Sequence, residues 1–250
     1  MIDYHQNKDL WQLSQKGEFL KNTPFLSKAV TMWARVASEE NWLKIPDLLK
    51  KKTLSSFPSF KEKETSEGAK TKFYQALIGY TTLDTQKFRD KINIEDNKNI
   101  LLFGVHSLAL IPVLTNQGIN IINLDYYNDN QIPAELIENY NIEPIEPGEI
   151  SQNYDLAIFC RFLQHLDDEK VLSYLKLANS KKISRILLIE TILTDDSPIG
   201  GAVDINIMVE TGGRLRTLRD WEVILKQVEG LKISNVEPLT DYLSIIDIRY

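Results

Sequence analysis

Cysteine and histidine are scarce in this chain of 250 residues, which has one cysteine and three histidines. A single cysteine, Cys160, excludes an intramolecular disulfide and a cluster of thiolate ligands. The histidines, at positions 5, 106 and 165, lack the helical H-x-x-x-H spacing of many zinc sites, which argues against a metal centre. The chain also lacks a G-x-S-x-G motif, so an α/β-hydrolase is disfavoured.

Positive charge is also in deficit. Lys and Arg total 29 against 35 Asp and Glu, which gives a formal net charge of −6. This balance argues against nucleic acid as a partner, because phosphate binding requires concentrated Lys and Arg. Apolar runs stay shorter than the roughly 18 residues of a membrane span. The polar, acidic start at residues 1–5 is unlike a signal peptide. We therefore expect a cytoplasmic protein without a membrane segment.

The composition that remains is that of a globular domain, with 43% hydrophobic and 26% charged residues. The pattern changes near residue 96, which divides the chain into a helical segment, 1–95, and a second domain, 96–250. In the first segment, Thr23-Pro24 is a helix start signal, and apolar spacing predicts helices over 25–36 and 42–49. A loop is predicted over 53–68, followed by a longer helix.

Strands alternate with helices in the second domain. This alternation predicts an α/β fold with a mainly parallel, doubly wound sheet. Its last two strands are separated by a short turn and predict a closing antiparallel hairpin. The apolar runs lie at 99–103, 119–124, 154–160, 186–192, 231–236 and 242–248, and the predicted helices lie at 107–116, 133–140, 168–178 and 218–228. Ligands of such sheets bind beyond the carboxyl ends of the strands.

Two segments of the second domain carry a family resemblance. Residues 204–217 read DINIMVETGGRLRT, and residues 161–169 read RFLQHLDDE. They resemble the D-x-N-M-x-x-x-T/N-G-G-x-x-R-T and R-x-L-H-D-W-x-D-E segments of class I S-adenosylmethionine-dependent O-methyltransferases of the caffeate, hydroxyindole and bacterial polyketide type. The resemblance covers most of residues 95–250 and implies a Rossmann-like sheet of seven strands. The winged-helix dimerisation region of that family is expected to be largely missing.

The resemblance implies methyl transfer from S-adenosylmethionine to a small aromatic or polyketide-like metabolite. Two other functions stay open. The first is cyclisation or rearrangement of a substrate, reactions for which some members of the family use the same fold. Alternatively, the chain is a non-catalytic subunit that supports a competent methyltransferase. The implied partner is a second copy of the chain or a related methyltransferase, because the apolar helices around Trp33 and Trp42 lack the region that normally covers them.

Candidate cofactor contacts follow the predicted strands. In the turn after the first strand only Gly104 is left of the family's Gly-rich loop, and His106 stands at a position that is normally bare. The alternative is a strand-to-helix turn that contacts no cofactor and has Ser107 as the helix cap. Asp125 lies at the predicted end of the second strand, and the resemblance implies that it binds the ribose. The alternative is that Asp125 only initiates a turn. The other two candidates are Cys160, which also suits a core position, and Arg161.

Candidate catalytic residues lie at or just after the ends of the third and fourth predicted strands. An ungapped match places Gln164 on the family's histidine base, and glutamine cannot accept a proton at neutral pH. The adjacent His165 can do so if the loop is shifted by one residue. Glu190 matches one of the carboxylates that orient the base, while Leu215 stands where the second is expected. Because an acidic phenol or a carbon nucleophile reacts without a strong base, these replacements leave methylation possible.

Overall fold

The computed structural model of the protein describes residues 2–5, 10–13, 18, 67–94, 97–115, 121, 123–127, 132, 134–140, 142–145, 149–150, 153–194 and 198–250. Near the N-terminus, β1 (Ile2–His5) pairs antiparallel with β2 (Leu10–Leu13). The expectation of a purely helical first segment did not include this pair. The helices predicted over 25–36 and 42–49 lie outside the described residues. The longer helix that was predicted after them is confirmed as α1 (Glu67–Asp84).

Strands and helices alternate after α1, as expected. The further helices are α2 (Phe88–Lys91), a 3₁₀ helix (Val105–Leu110) that continues into α3 (Ile111–Thr115), α4 (Ala134–Glu138), a 3₁₀ turn (Leu163–His165), α5 (Asp168–Ser180), α6 (Pro198–Thr211) and α7 (Leu218–Leu225). The further strands are β3 (Asn99–Phe103), β4 (Asn123–Tyr127), β5 (Glu143–Ile145), β6 (Leu156–Cys160), β7 (Arg185–Thr191), β8 (Lys232–Pro238) and β9 (Leu243–Arg249). No described helix is long and apolar enough to cross a membrane.

The central sheet has seven strands in the order β5-β4-β3-β6-β7-β9-β8. Strands β3 to β7 pair in parallel, and β9 runs antiparallel to both β7 and β8. The closing hairpin predicted from the sequence is therefore confirmed. The strands at the centre of the sheet are buried on both faces, which explains why they appear in the sequence as continuous apolar runs. This is the Rossmann-like α/β class that the sequence indicated.

Two apolar cores cover the two faces of the sheet. Because neighbouring residues of a strand point to opposite faces, Leu102 belongs to one core and Leu101 to the other. The first core includes side chains of α1 and of the 3₁₀ helix after β3. The second core includes α5 and α7, whose buried residues include Trp221. Helix α7 begins at a capping box in which Thr217 and Asp220 bond each other's backbone N–H.

The structure differs from the sequence prediction at several elements of the second domain. The second strand of the sheet begins and ends later than predicted, because Tyr126 and Tyr127 continue the pairing with β3. Ser107 does not cap a helix. It lies inside the 3₁₀ helix, and its hydroxyl donates to the carbonyl oxygen of Gly104 at 2.6 Å. Strand β5 and helix α6 were not predicted.

Candidate active site at the carboxyl edge of the sheet

The parallel strands bring their carboxyl ends together at one edge of the sheet. Phe103 lies opposite both Tyr127 of β4 and Phe159 of β6, and Cys160 lies opposite Ile189 of β7. The segments that follow these strands carry nearly all of the candidate residues from the sequence. The topology therefore gathers Gly104, His106, Arg161, Gln164, His165 and Glu190 at this edge.

Gly104 makes the turn after β3. Its backbone has a φ of +82° and a ψ of 145°, a combination that residues with a Cβ rarely adopt. A Cβ built on it would lie 2.7 Å from the Cβ of Phe162, closer than real Cβ atoms approach. Glycine is therefore required here by both conformation and space. The atoms that crowd it in this structure belong to Phe162, in the segment after β6.

His106 lies under α1 and is buried. Its Nδ1 is 2.6 Å from the hydroxyl oxygen of Thr81, and its ring is nearly parallel to that of His165, with the centroids 6.3 Å apart. Burial holds the pKa of His106 well below its usual value, and the neighbouring charges of Arg161 and His165 lower it further. The imidazole of His106 is therefore neutral at physiological pH. The cofactor contact inferred for it from the sequence stays a prediction.

Arg161 joins the site to α1. Its guanidinium donates to Asp84 at 2.6 Å and to the hydroxyl of Tyr242 at 3.1 Å, and it lies over the ring of Tyr80. Tyr242 in turn donates to Asp84 at 2.7 Å. The Nε of Arg161 is buried without a hydrogen-bond partner among the described residues. Cys160, one residue earlier, is fully buried in the core, and its burial raises the pKa of its thiol.

Asp125 is not at the end of its strand. It lies opposite Leu101, two residues before β4 ends at Tyr127. The carboxylate is buried and accepts a hydrogen bond of 2.7 Å from the hydroxyl of Tyr154. The placement inferred from the sequence is therefore wrong by two residues, because Tyr126 and Tyr127 extend the strand. The ribose-binding role of Asp125 stays a prediction.

Glu190 supports the segment after β6. Its Oε1 accepts hydrogen bonds from the backbone N–H groups of Phe162 at 3.1 Å and Leu163 at 2.9 Å. Its Oε2 is buried and has no hydrogen-bond partner among the described residues. Burial raises the pKa of Glu190 to about 7, against the opposing effect of the two backbone donors. Glu190 therefore orients the backbone that leads to His165.

Gln164 and His165 end the 3₁₀ turn. Gln164 is buried, and its Oε1 has no hydrogen-bond partner in the described part of the chain. Its side-chain nitrogen lies 3.5 Å from Nε2 of His165. The half-buried His165 ring places Nδ1 at 3.4 Å from the hydroxyl oxygen of Thr211, at the end of α6. Gly213 packs against the backbone of both residues so tightly that a Cβ would overlap the carbonyl oxygen of Gln164.

Arg216 is a structural residue of the site to which the sequence analysis assigned no role. Its side chain is fully buried, and it donates to the carbonyl oxygens of Leu163 at 3.0 Å and Leu166 at 2.8 Å. It also forms an ion pair with Asp168 at 2.7 Å. The R-T pair of the motif was the available signal. Leu215, at the place of the expected second carboxylate, is buried and apolar.

A cavity of about 440 Å³ opens beside this edge, between the end of β4 and α5. That volume is within the range of about 300–1,000 Å³ that is usual for small-molecule sites. Two tyrosines and two leucines make up most of its wall, together with one lysine and one serine. Its lining residues are Tyr127, Leu166, Lys170, Ser173, Tyr174 and Leu177.

Comparison with known proteins connects this architecture to methyltransferases. No protein-family model matches the chain. A curated relative from Papaver somniferum, 3'-hydroxy-N-methyl-(S)-coclaurine 4'-O-methyltransferase 2, is 29% identical over 118 residues. That stretch covers 43% of this chain and about a third, 32%, of the relative.

Solved structures match over a longer span. The mitomycin 7-O-methyltransferase MmcR superimposes with a TM-score of 0.79 at 18% identity, over 100% of this chain and 79% of its own. The O-methyltransferase NcsB1 from neocarzinostatin biosynthesis was solved in complex with S-adenosyl-L-homocysteine and 1,4-dihydroxy-2-naphthoic acid. It superimposes with a TM-score of 0.78 at 14% identity, over 99% of this chain and 80% of its own. Human N-acetylserotonin methyltransferase, in complex with S-adenosylmethionine, superimposes with a TM-score of 0.72 at 17% identity, over 84% of this chain and 66% of its own. At these identities the matches show a shared fold, and they support the resemblance that the motifs indicated.

Proposed function

We propose that this chain, which has the fold of the small-molecule O-methyltransferases, is an S-adenosylmethionine-dependent methyltransferase that acts on a small aromatic or polyketide-like metabolite. The observation that carries the proposal is the position of His165. Its half-buried imidazole stands at the carboxyl edge of the sheet, on a turn that Glu190 and Gly213 hold in place. Ligands of parallel α/β sheets bind at this edge.

The residues of this edge fit a polar cofactor. The buried Nε of Arg161 is a donor without a partner, and the buried Oε2 of Glu190 and Oε1 of Gln164 are acceptors without partners, within the described residues. Buried polar atoms without partners are uncommon and call for a ligand or water. The nearby cavity beside Tyr127 supplies aromatic surface for a nucleoside. We propose that Gly104, His106, Asp125, Cys160 and Arg161 surround the cofactor.

The reaction requires positioning above all, and S-adenosylmethionine, when bound, would supply the electrophilic methyl group. His165 would accept the proton of the acceptor hydroxyl. Glu190 holds the turn that carries His165 and does not exchange protons with the acceptor. Gln164, which has no basic atom, binds the acceptor and does not deprotonate it.

The test is transfer of a labelled methyl group from S-adenosylmethionine to a panel of phenols and hydroxynaphthoates. We expect a labelled ether from at least one acceptor, and His165→Ala should lower its rate by about 10²- to 10⁴-fold, the usual contribution of a general base. Failure of the wild-type chain to transfer the label, alone and after mixing with a related active methyltransferase, would contradict the proposal. Transfer only in the mixture would indicate a supporting subunit. A rearranged acceptor without label would indicate a repurposed fold.

We further propose that the active form is a homodimer, located in the cytoplasm. The support comes from the sequence, in which the predicted helices around Trp33 and Trp42 carry large apolar side chains, and from the prevalence of closed two-fold pairs. A heteromer with a related methyltransferase is the second candidate. Light scattering at micromolar concentration tests the point: a 28.8 kDa monomer that transfers methyl groups unaided would refute it.

A further inference from the structure

The hydroxyl of Thr81, on α1, bonds a ring nitrogen of the candidate site. Its side chain is fully buried, and its oxygen lies 2.6 Å from Nδ1 of His106. No other described residue bonds that hydroxyl, whereas Thr82 and Thr85 each donate to a carbonyl oxygen four residues earlier. A buried hydroxyl hydrogen without an acceptor is costly. Thr81 therefore donates its hydrogen to Nδ1 of His106.

This bond sets the tautomer of His106. Because Nδ1 accepts, it carries the lone pair, and the hydrogen of the neutral imidazole is on Nε2. Burial holds the pKa of His106 well below its usual value, and the ring is therefore neutral. Nε2 has no hydrogen-bond partner among the described residues, and it is not one of the fully buried atoms that lack a partner. His106 thus presents a neutral N–H donor that Thr81 holds in one orientation.

His106 lies on the β6 side of the turn after β3. The 3₁₀ helix that carries it contacts β6 as well as α1, and its ring is nearly parallel to that of His165. Strand β4, which carries Asp125, pairs with the opposite edge of β3. A cofactor whose ribose binds Asp125, and which crosses the end of β3 at Gly104, therefore brings its amino-acid end to His106.

We infer that His106, positioned by Thr81, donates the hydrogen bond that binds the carboxylate at the amino-acid end of S-adenosylmethionine. A carboxylate has only acceptor oxygens and pairs with a fixed N–H, whereas the ammonium group of the same end has only donors. A hydrogen bond to a charged group is worth about 10- to 100-fold in affinity. The inference rests on the proposed function, and it gives a specific role to a side chain at a position that is bare in the resembled family.

Two nucleosides that differ at the amino-acid end test the assignment. S-Adenosylhomocysteine has the carboxylate, whereas 5'-methylthioadenosine has the same adenine, ribose and thioether sulfur without it. Both affinities are measured by calorimetric titration of the full chain. His106→Phe keeps a planar ring without an N–H, so it should weaken S-adenosylhomocysteine by about 10- to 100-fold and change the affinity for 5'-methylthioadenosine by less than about 2-fold. His106→Gln, which restores an N–H donor, should recover part of the loss.

Substitutions on α1 test the positioning role of Thr81. Thr81→Val keeps the shape and removes the hydroxyl, so it should weaken S-adenosylhomocysteine by about 3- to 10-fold and leave 5'-methylthioadenosine unchanged, whereas Thr81→Ser should bind both as the wild type does. Thr82→Val is the matched control, because the Thr82 hydroxyl bonds the carbonyl oxygen of Ile78 on the same helix, and both affinities should stay at their wild-type values. An equal loss of both nucleosides in Thr81→Val would contradict the role of Thr81. If His106→Phe folds poorly, the Thr81 variants decide the question.

The tautomer can be measured without any ligand. Long-range ¹H–¹⁵N correlation spectra of the ¹⁵N-histidine-labelled full chain distinguish Nε2–H from Nδ1–H, and the His106 signals are those lost in His106→Gln. We expect a neutral His106 with Nε2–H at neutral pH. An Nδ1–H tautomer or a charged ring would overturn the inference, whatever the activity.

Binding and methyl transfer separate two failures. A chain that shows the losses specific to S-adenosylhomocysteine and labels no acceptor would contradict the proposed function and leave the role of His106 supported. An active chain whose His106→Phe variant binds both nucleosides as the wild type does, or loses both equally, would leave methyl transfer standing and overturn the role of His106.

Discussion

Replacing Gly104 by alanine tests the turn on which the candidate site is built. The positive φ of +82° costs a residue with a Cβ about 1–3 kcal/mol. The new Cβ would also lie 2.7 Å from the Cβ of Phe162, an overlap whose relief by shifting the backbone costs about 1–3 kcal/mol more. Because the contact is to a Cβ atom and not to the end of a flexible side chain, rotation of Phe162 cannot relieve it. Gly104→Ala should therefore lower the free energy of unfolding by about 2–6 kcal/mol.

Two other glycines serve as matched controls in urea unfolding followed by circular dichroism. Gly212 has a φ of +72° but open space around its Cβ, so Gly212→Ala should show the conformational cost alone, about 1–2 kcal/mol. Gly201 lies within α6 with an ordinary φ and open space, and Gly201→Ala should stabilise the protein by about 0.5–1 kcal/mol. Equal stability of Gly104→Ala and Gly212→Ala would refute the close approach of Phe162.

Three further predictions concern the surroundings of the site. Arg216→Ala should cost about 3–5 kcal/mol in urea unfolding, because the buried carbonyl of Leu163 and the partly buried carbonyl of Leu166 lose their donor. Arg214→Ala, which breaks an exposed pair, should cost less than about 1 kcal/mol. Glu190 holds its proton up to about pH 7 in the folded chain, whereas in the unfolded chain it releases the proton near pH 4.5. The free energy of unfolding should therefore fall by up to about 3 kcal/mol as the pH rises from 5 to 8. Glu190→Gln should flatten this pH dependence, and an unchanged slope would contradict the assignment. Asp125→Ala should weaken S-adenosylmethionine binding by roughly 10- to 100-fold in a titration. Tyr154→Phe, which leaves the carboxylate in place, should weaken binding less. An affinity of Asp125→Ala equal to that of the wild-type chain would remove Asp125 from the site.

Elements with a strong local pattern were predictable from the sequence. Continuous apolar runs revealed the buried strands, such as β3 and β7, because both faces of a central parallel strand are covered. Strand β5 was not predicted because it has only three residues, lies at the sheet edge and contains Pro144. Helix α6 escaped because Gly200 and Gly201 weaken the helical signal, and its residues were considered only as a motif.

The site was predictable in its residue types and not in its contacts. The motifs indicated Gln164, His165 and Glu190, and the fold brings all three to one edge. The sequence could not show that Glu190 bonds backbone N–H groups, or that Thr211 reaches the imidazole from 46 residues away. Arg161 meets Asp84 and Tyr242 across 77 and 81 residues, so that network depends on how α1 and the closing hairpin pack. Such contacts follow from tertiary packing and leave no local signature.

Titration of the chain alone with S-adenosylmethionine, by calorimetry, tests the central claim most directly. The account predicts saturable binding at one site per chain, competition by S-adenosylhomocysteine, and a weaker affinity in Asp125→Ala. Absence of binding to the folded chain at millimolar cofactor would contradict the account, since the carboxyl edge around Gly104 and Arg161 would then not be a cofactor site.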